Sequence, residues 1–369
     1  MVNSHAQPAI HRIMMTADPF GGVWTYALEL ARALQTFRLE IVLATMGAPP
    51  TAQQRTHAQR LGNVRVFDSD YKLEWMGNSW EDVAAAGAWL LELEALTQPD
   101  VVHLNGYVHG ALPWQSPTLI VGHSCVFSWF AAVQGRKPPA EWERYHCGVV
   151  RGLRGVDLVT APTEAMLAAL KTHYGPFAAA PAIYNGRRAA HFPPGVKEPC
   201  VLTAGRLWDA AKNVALLEQV APHLSWPVYV AGEEHHPDGG EVHFAAMQRL
   251  GWLDPAALAK WLARAAIFAL PARYEPFGLL PLEAGLSGCA LVLGDIPSLR
   301  EVWGDAALFV APDQPAGLEA ALQTLIRNAP FRDRLATRAR ERALQYTPKR
   351  MARAYMALYT QLMRTRTST

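Results

Sequence analysis

Two carboxylates, Glu275 and Glu283, flank a Phe-Gly turn in "ARYEPFGLLPLEAG", residues 272–285. Upstream, "TAGRLWDAAKN" (203–213) carries Arg206 and Lys212 just after a strand-like run. An Arg fork and a Lys point charge beside a helix start form a clamp for a diphosphate. A carboxylate has two acceptor oxygens and so suits a pair of neighbouring hydroxyls. The run "IFALPARY" is expected to be a strand reaching Glu275, and "GLLPLEAGLSG" a helix with Pro281 near its first turn, where a missing N–H costs little. The amides of Phe277, Gly278 and Leu279 would then point out of the helix start toward an anion. A ligand with a diphosphate between a sugar and a ribose satisfies all of these groups at once. A plainer use of the same residues stays open: Glu275 and Glu283 capping a helix and pairing with Arg273 or Arg300, and Arg206 and Lys212 as surface cations with Asp209 as a cap.

A second loop, "ADPFGGVW" (17–24), joins the first strand-like run to the first helical one. Gly21 and Gly22 let backbone approach a ligand closely, and free N–H groups at a helix start suit an anion. The loop is not a G-x-G-x-x-G fingerprint, and no acidic residue follows at the usual interval. A tight strand-to-helix turn is the competing reading.

These residues need elements to hold them. Strand-like runs at 10–17, 39–46, 64–70, 100–107, 117–124 and 157–163 alternate with helical patterns such as 23–37 and 80–98. In the latter, Val83, Leu90, Leu91 and Leu93 form the apolar face, with Glu92 and Glu94 at its end. The stretch 184–199, "YNGRRAAHFPPGVKEP", is rich in Pro, Gly and charge and has no period, so it reads as a linker. Alternation resumes at 200–206, 226–232, 267–274, 290–296 and 307–312. Alternating strand and helix implies parallel sheets covered on both faces. The expected organisation is two doubly wound lobes, 1–183 and 200–345, with the ligand cleft at the carboxyl ends of the strands. A last helix over 346–369 would present Met351, Ala354, Tyr355, Leu358 and Leu362 on one face.

With those motifs in place, the chain resembles the retaining, nucleotide-sugar-dependent glycosyltransferases of family 4, which have the GT-B fold. Glu275 to Glu283 matches that family's E-x7-E motif, and Arg206 with Lys212 its diphosphate pair. "RLGWLD" (249–254) looks like the segment whose backbone, near Leu253, holds the nucleobase. "YNGRRAAHF" looks like the inter-domain crossing, and His123 in "GHS" stands where the family has a histidine near the donor sugar. Gly21 and Gly22 match its glycine loop, beside bulkier residues (Val23, Trp24) than many members carry. The resemblance implies two Rossmann-like lobes facing across a cleft, and transfer of a sugar from a nucleotide diphosphate sugar with retained anomeric configuration. It implies a front-face path in which the departing phosphate takes the acceptor's proton. Glu275 would hold the sugar hydroxyls, Glu283 the ribose, and Arg206 and Lys212 the charge growing on the leaving diphosphate. His123 would act beside the sugar, by ring or by backbone. The last helix would cross back onto the first lobe. A GT-B phosphorylase, a nucleotide-sugar epimerase or a non-catalytic nucleotide-sugar binder would share much of this architecture.

Charge and composition narrow the partners. A net charge of +2 gives no warrant for nucleic acid. Residues 1–180 hold 13 Lys or Arg against 15 Asp or Glu, so the first lobe offers no basic surface for anionic lipid. A soluble acceptor rather than a lipid one, and at most weak membrane association, are the expectations. The basic excess lies from Arg327 onward, as a solvated helix face. "MVNSHAQPA" reads as no secretory leader, no apolar run is long enough to span a bilayer, and four scattered cysteines read as reduced thiols, all pointing to the cytoplasm. No cofactor and no metal are expected. Asp68 and Asp70 in "DSD" look like an acidic metal motif but sit in the lobe away from the donor. His235, His236 and His243 fall in a Pro- and Gly-rich loop, better suited to covering a nucleotide than to ligating a metal. Most tryptophans of the first lobe read as core, with Trp75, Trp80 and Trp129 near loops.

Overall fold

The computed structural model describes residues 10–235, 240 and 242–367. His236 therefore lies outside the described residues. The chain divides into two compact units. The first comprises residues 1–128, 137–186 and 348–369; the second comprises 129–136 and 187–347.

The first unit begins β1 (Arg12–Ala17), α1 (Gly22–Leu34), β2 (Glu40–Thr45), α2 (Ala52–Gln59), β3 (Val64–Asp68) and α3 (Trp80–Thr97). It continues β4 (Val101–Leu104), β5 (Thr118–Val121), the start of α4 (Val126–Gln134), α5 (Glu143–Gly155), β6 (Leu158–Thr160) and α6 (Glu164–Tyr174). Its six strands run parallel in the order β3-β2-β1-β4-β5-β6. This is the doubly wound order whose direction reverses between β1 and β4, where the loops leaving the carboxyl ends diverge and open a crevice. The glycine loop follows β1, and Asn105 follows β4. Ile13, Met14 and Met15 in β1 are fully buried, as a parallel strand covered on both faces requires.

The second unit repeats that plan. β7 (Glu198–Arg206), α7 (Val214–Val220), β8 (Val228–Glu233), β9 (Gln248–Gly251), α8 (Pro255–Arg264) and β10 (Ala265–Leu270) come first. α9 (Leu279–Leu286), β11 (Ala290–Gly294), α10 (Pro297–Trp303), β12 (Leu308–Val310), α11 (Pro315–Arg327) and α12 (Ala329–Ala343) complete it. The parallel order is β12-β11-β10-β7-β8-β9, with its reversal between β7 and β10. Alternate residues feed opposite cores: Phe268 and Leu270 one, Ile267 and Ala269 the other.

Several expectations are corrected. The strand "IFALPARY" ends at Leu270, because Pro271 lacks the N–H that a continuing ladder needs; Glu275 sits on a loop. Glu94 is not at a polar fringe. It is buried and accepts the backbone N–H groups of Gln115 (3.0 Å) and Ser116 (2.8 Å). The last helix, α13 (Pro348–Thr367), belongs to the first unit. Met351, Tyr355, Leu358 and Leu362 are buried there, but Ala354 is exposed; Ala352 and Tyr359 take its place. The stripe follows 3.6 residues per turn, and Ala354 falls just off it. Among the described residues, no helix is long and apolar enough to cross a membrane.

Tyr355 is fully buried, in edge contact with Tyr26 of α1 (centroids 6.0 Å apart). Tyr355→Ala should cost about 3–5 kcal/mol through lost burial and the cavity left behind. Urea unfolding should report a loss of that size; a loss well under 1 kcal/mol would show that α13 is not integral to this core.

Candidate active site

In the second unit, four segments meet at the carboxyl ends of the strands flanking the reversal point. Arg206 is the last residue of β7. The chain then makes a short turn, Ala210–Lys212, capped by Asp209, whose Oδ1 accepts the Ala211 N–H at 3.0 Å. Asp209 Oδ2 also lies 3.2 Å from Arg206 Nη2, and Asp209 Oδ1 accepts the Trp129 indole N–H at 3.1 Å. Asp209 is thus a cap, as the plainer reading had it, and at the same time a brace for Arg206. Asn213 adopts a left-handed conformation (φ 56°) and turns the chain into α7.

Lys212 Nζ donates to Glu275 Oε2 at 2.7 Å, with both side chains mostly covered. The Glu275 loop is fixed by its neighbours: Arg273 N–H donates to Ala211 O (2.8 Å), and Ser298 Oγ donates to Glu275 O (2.5 Å). Gly278, at φ 91°, caps the start of α9; that conformation favours glycine, and a Cβ there would press on Pro281 at 3.1 Å. Buried Phe277 anchors the turn. Leu279 opens α9, so the Phe277–Leu279 amides sit at a helix start. Glu283 is buried on that helix, and its Oε1 lies 2.8 Å from Arg187 Nη2. The plainer reading paired it with Arg273 or Arg300; the structure sets Arg187 against it, and Arg300 pairs with Asp295. Leu253 follows the edge strand β9 and is partly buried against the same core; next to it, Asp254 caps α8 through the Ala257 N–H (2.8 Å).

The first unit holds the remaining predicted residues. Gly21 (φ 71°) caps α1, Gly22 is its first residue, and both are exposed. One turn into α1, Tyr26 meets the His123 ring edge-on at 4.5 Å. Asn105 Nδ2 donates to Thr16 O (2.6 Å), so its Oδ1 faces His123 and accepts from Nε2 at 2.8 Å. That bond leaves His123 Nδ1 as an acceptor. Burial pushes the His123 pKa down to about 3, so the ring is neutral. Beneath it, His103 Nδ1 and Nε2 meet the hydroxyls of Tyr359 (2.6 Å) and Tyr26 (3.2 Å), and burial also takes its pKa to about 3. Glu74 accepts the N–H groups of Tyr107 (2.9 Å) and Val108 (3.0 Å) in the loop after β4, and burial nevertheless raises its carboxyl to about 7.

Other motifs resolve locally. Asp68 is held in a two-pronged pair by Arg55 (2.5 and 2.8 Å). Trp75 is exposed, Trp80 and Trp129 are half-buried, and Trp24 and Trp114 are core. Arg187, Asn105, Tyr26 and Asn213 were missed in the sequence. Only Asn213 carried a signal, since Asn tolerates the left-handed turn that the end of "AAKN" needs.

The doubled doubly wound plan and this cluster define a two-lobed α/β protein of the GT-B class. Its solved structural neighbours include sucrose-phosphate synthase from Thermosynechococcus elongatus (TM-score 0.80, 17% identity, covering 96% of this chain and 100% of that one). Anabaena Alr3699/HepE, solved in complex with UDP-glucose, matches at a TM-score of 0.73 with 16% identity, covering 97% of this chain and 100% of that one. Two family models match, "Glycosyltransferase Family 4" over residues 20–190 and "Glycosyl transferases group 1" over 198–328. The chain belongs to glycosyltransferase family 4. Curated relatives include glycogen synthase of Mycobacterium tuberculosis, 32% identical over 179 residues, 43% of each chain. A D-inositol 3-phosphate glycosyltransferase of Nocardioides is 35% identical over 104 residues, 28% of this chain and 23% of that one. The matched stretches span less than half the length of these relatives.

Three histidines held neutral in the fold make stability depend on pH. His103, His109 and His123 all have folded pKa values below the unfolded value near 6.5, so the unfolded chain binds more protons as pH falls below it. Each such histidine removes up to about 1.4 kcal/mol of stability per pH unit below ~6.5, the half-buried His123 less than the buried His103. Glu74 works the other way: its folded pKa of about 7 exceeds the unfolded value, so its contribution grows as pH falls from about 7 to ~4.3. Three histidines outweigh one carboxylate, so urea midpoints should fall between about pH 6.5 and ~4.5, and faster below that. A flat or rising midpoint over that range would contradict these assignments.

Proposed function

We propose that this protein transfers a sugar from a nucleotide diphosphate sugar to an acceptor, with retention of anomeric configuration. The observation that carries the proposal is the Lys212–Glu275 pair at 2.7 Å, set between the end of β7 and the start of α9. A cation held against a carboxylate at a helix start suits a ligand that brings an anion and hydroxyls together. The diphosphate takes Lys212, Arg206 and the α9 amides; the sugar hydroxyls take Glu275. Glu283, one turn along α9, takes the ribose hydroxyls.

The mechanism follows from charge. Leaving-group departure builds negative charge on the diphosphate, and Lys212 and Arg206 stabilise that charge more than they stabilise the bound donor. Two cations and helix amides supply this neutralisation without a metal. The departing phosphate oxygen takes the acceptor's proton on the face it leaves. Neutral His123, with Nε2 committed to Asn105, has no proton at Nδ1 to give, so any part it takes is that of a hydrogen-bond acceptor and not of an acid.

The solved neighbours with UDP or UDP-glucose make uridine diphosphate sugars the first donors to test. The acceptor is small or soluble on this reading, since the first 180 residues carry no basic excess. One curated relative is a phosphatidyl-myo-inositol mannosyltransferase, so lipid acceptors belong in the screen.

The two carboxylates should separate in function. Glu275→Gln should leave nucleoside diphosphate affinity nearly unchanged and lower transfer on the order of a hundredfold, the scale of losing one transition-state contact. Glu283→Gln should weaken nucleoside diphosphate binding directly. Calorimetry beside a transfer assay reads both; equal loss of affinity in the two variants would overturn the division of labour.

A further inference from the structure

Arg187 is the first residue of the second unit after the crossing from the first. Its guanidinium meets Glu283 Oε1 at 2.8 Å, with the two side chains only 11% and 9% exposed. The same guanidinium lies 5.1 Å from the centre of the Phe192 ring. Its backbone N–H donates to Tyr346 O at 3.1 Å. Tyr346 stands just before the return crossing at Pro348. The Tyr346 hydroxyl donates to Val302 O (2.7 Å), and its ring meets Phe277 edge-on at 5.8 Å and 89°. Phe277 immediately precedes the cap of α9, and α9 carries Glu283. The contacts form a closed circuit: Glu283, Arg187, Tyr346, Phe277 and back along α9.

We propose that Arg187 is a positioning residue for the donor: it holds the Glu283 carboxylate ionised and aimed at the ribose, and ties it to both chain crossings. This rests on the reading of Glu283 as the ribose carboxylate. A buried carboxylate without a cation takes up a proton and loses acceptor capacity. An ionised one offers about four lone-pair sites, so contact with one guanidinium does not exhaust it. Arg is suited to the place, because its planar fork can meet a carboxylate while its face lies on Phe192. Nucleotide binding at Glu283 thereby bears on a residue that also anchors the return crossing through Tyr346.

The test compares a nucleoside diphosphate with its 2′,3′-dideoxy form, using whichever of the uridine, guanosine, adenosine and cytidine diphosphates binds best. Wild type should bind the dideoxy form about tenfold more weakly, equivalent to ~1.4 kcal/mol. Arg187→Gln should bind the full nucleotide about tenfold more weakly and lose the discrimination, as Glu283→Gln should; Arg187→Lys should recover part of it. A merely structural role would lower the melting temperature and leave the ratio intact. Arg187→Gln that discriminates like wild type overturns the proposal while sparing the role of Glu283. A wild type indifferent to the ribose hydroxyls, or one that binds none of the four, overturns the role of Glu283 and this proposal with it.

Discussion

The second unit's site depends on one side chain that touches no ligand in this reading. Asn213 is buried, left-handed, and donates from Nδ2 to Pro271 O (2.9 Å) and Pro312 O (2.7 Å). Those carbonyls belong to the loops after β10 and β12, and Asn213 itself follows β7. One amide therefore pins three loops that leave neighbouring parts of a sheet. The carbonyls of Pro271 and Pro312 lie where they need donors, and the Asn213 side chain supplies both. Lys212, the preceding residue, is thereby fixed against the loop that carries Glu275. Buried donors and acceptors left unmet are costly, and that cost makes the loop arrangement unique rather than one of several.

The first unit solves a similar problem with aromatic hydroxyls and imidazoles. Tyr26, His103, Tyr359 and His123 bring α1, β4, α13 and the loop after β5 into one connected cluster. Burial keeps both imidazoles neutral, so each ring nitrogen has a defined donor or acceptor role. The glycine loop at the start of α1 and the ring of His123 are two ends of the same packed assembly. The C-terminal helix is part of that assembly, since Tyr359 supplies one of its hydroxyls.

Acidic groups show how tertiary placement separates residues of one type. Glu283 is buried and matched by Arg187; Glu275 is matched by Lys212; Glu94 and Glu74 are buried against backbone N–H groups. Four carboxylates are withdrawn from water, yet two face side-chain cations and two hold loops through backbone N–H groups. The difference lies in the partner. A side-chain cation can be displaced by or shared with a charged ligand, whereas a backbone amide in a fixed turn cannot leave.

The sequence alone determined the parts that depend on local pattern. Strand and helix periodicity, the compositional break over 184–199, and the spacing of Arg206, Lys212, Glu275 and Glu283 are all local; the periodicity announced two doubly wound units, and the spacing marked the residues of the candidate site. Only tertiary structure decided the partners. The Glu283–Arg187 contact joins residues 96 positions apart, and nothing local marks Arg187 above Arg188 beside it. The burial of Glu94, the end of the strand at Leu270 and the exchange of Ala354 for Ala352 and Tyr359 on α13 were likewise settled by which surface each element met. Periodicity fixes which face of an element is apolar; it is the neighbour packed against that face that sets where it ends and which charge pairs with which.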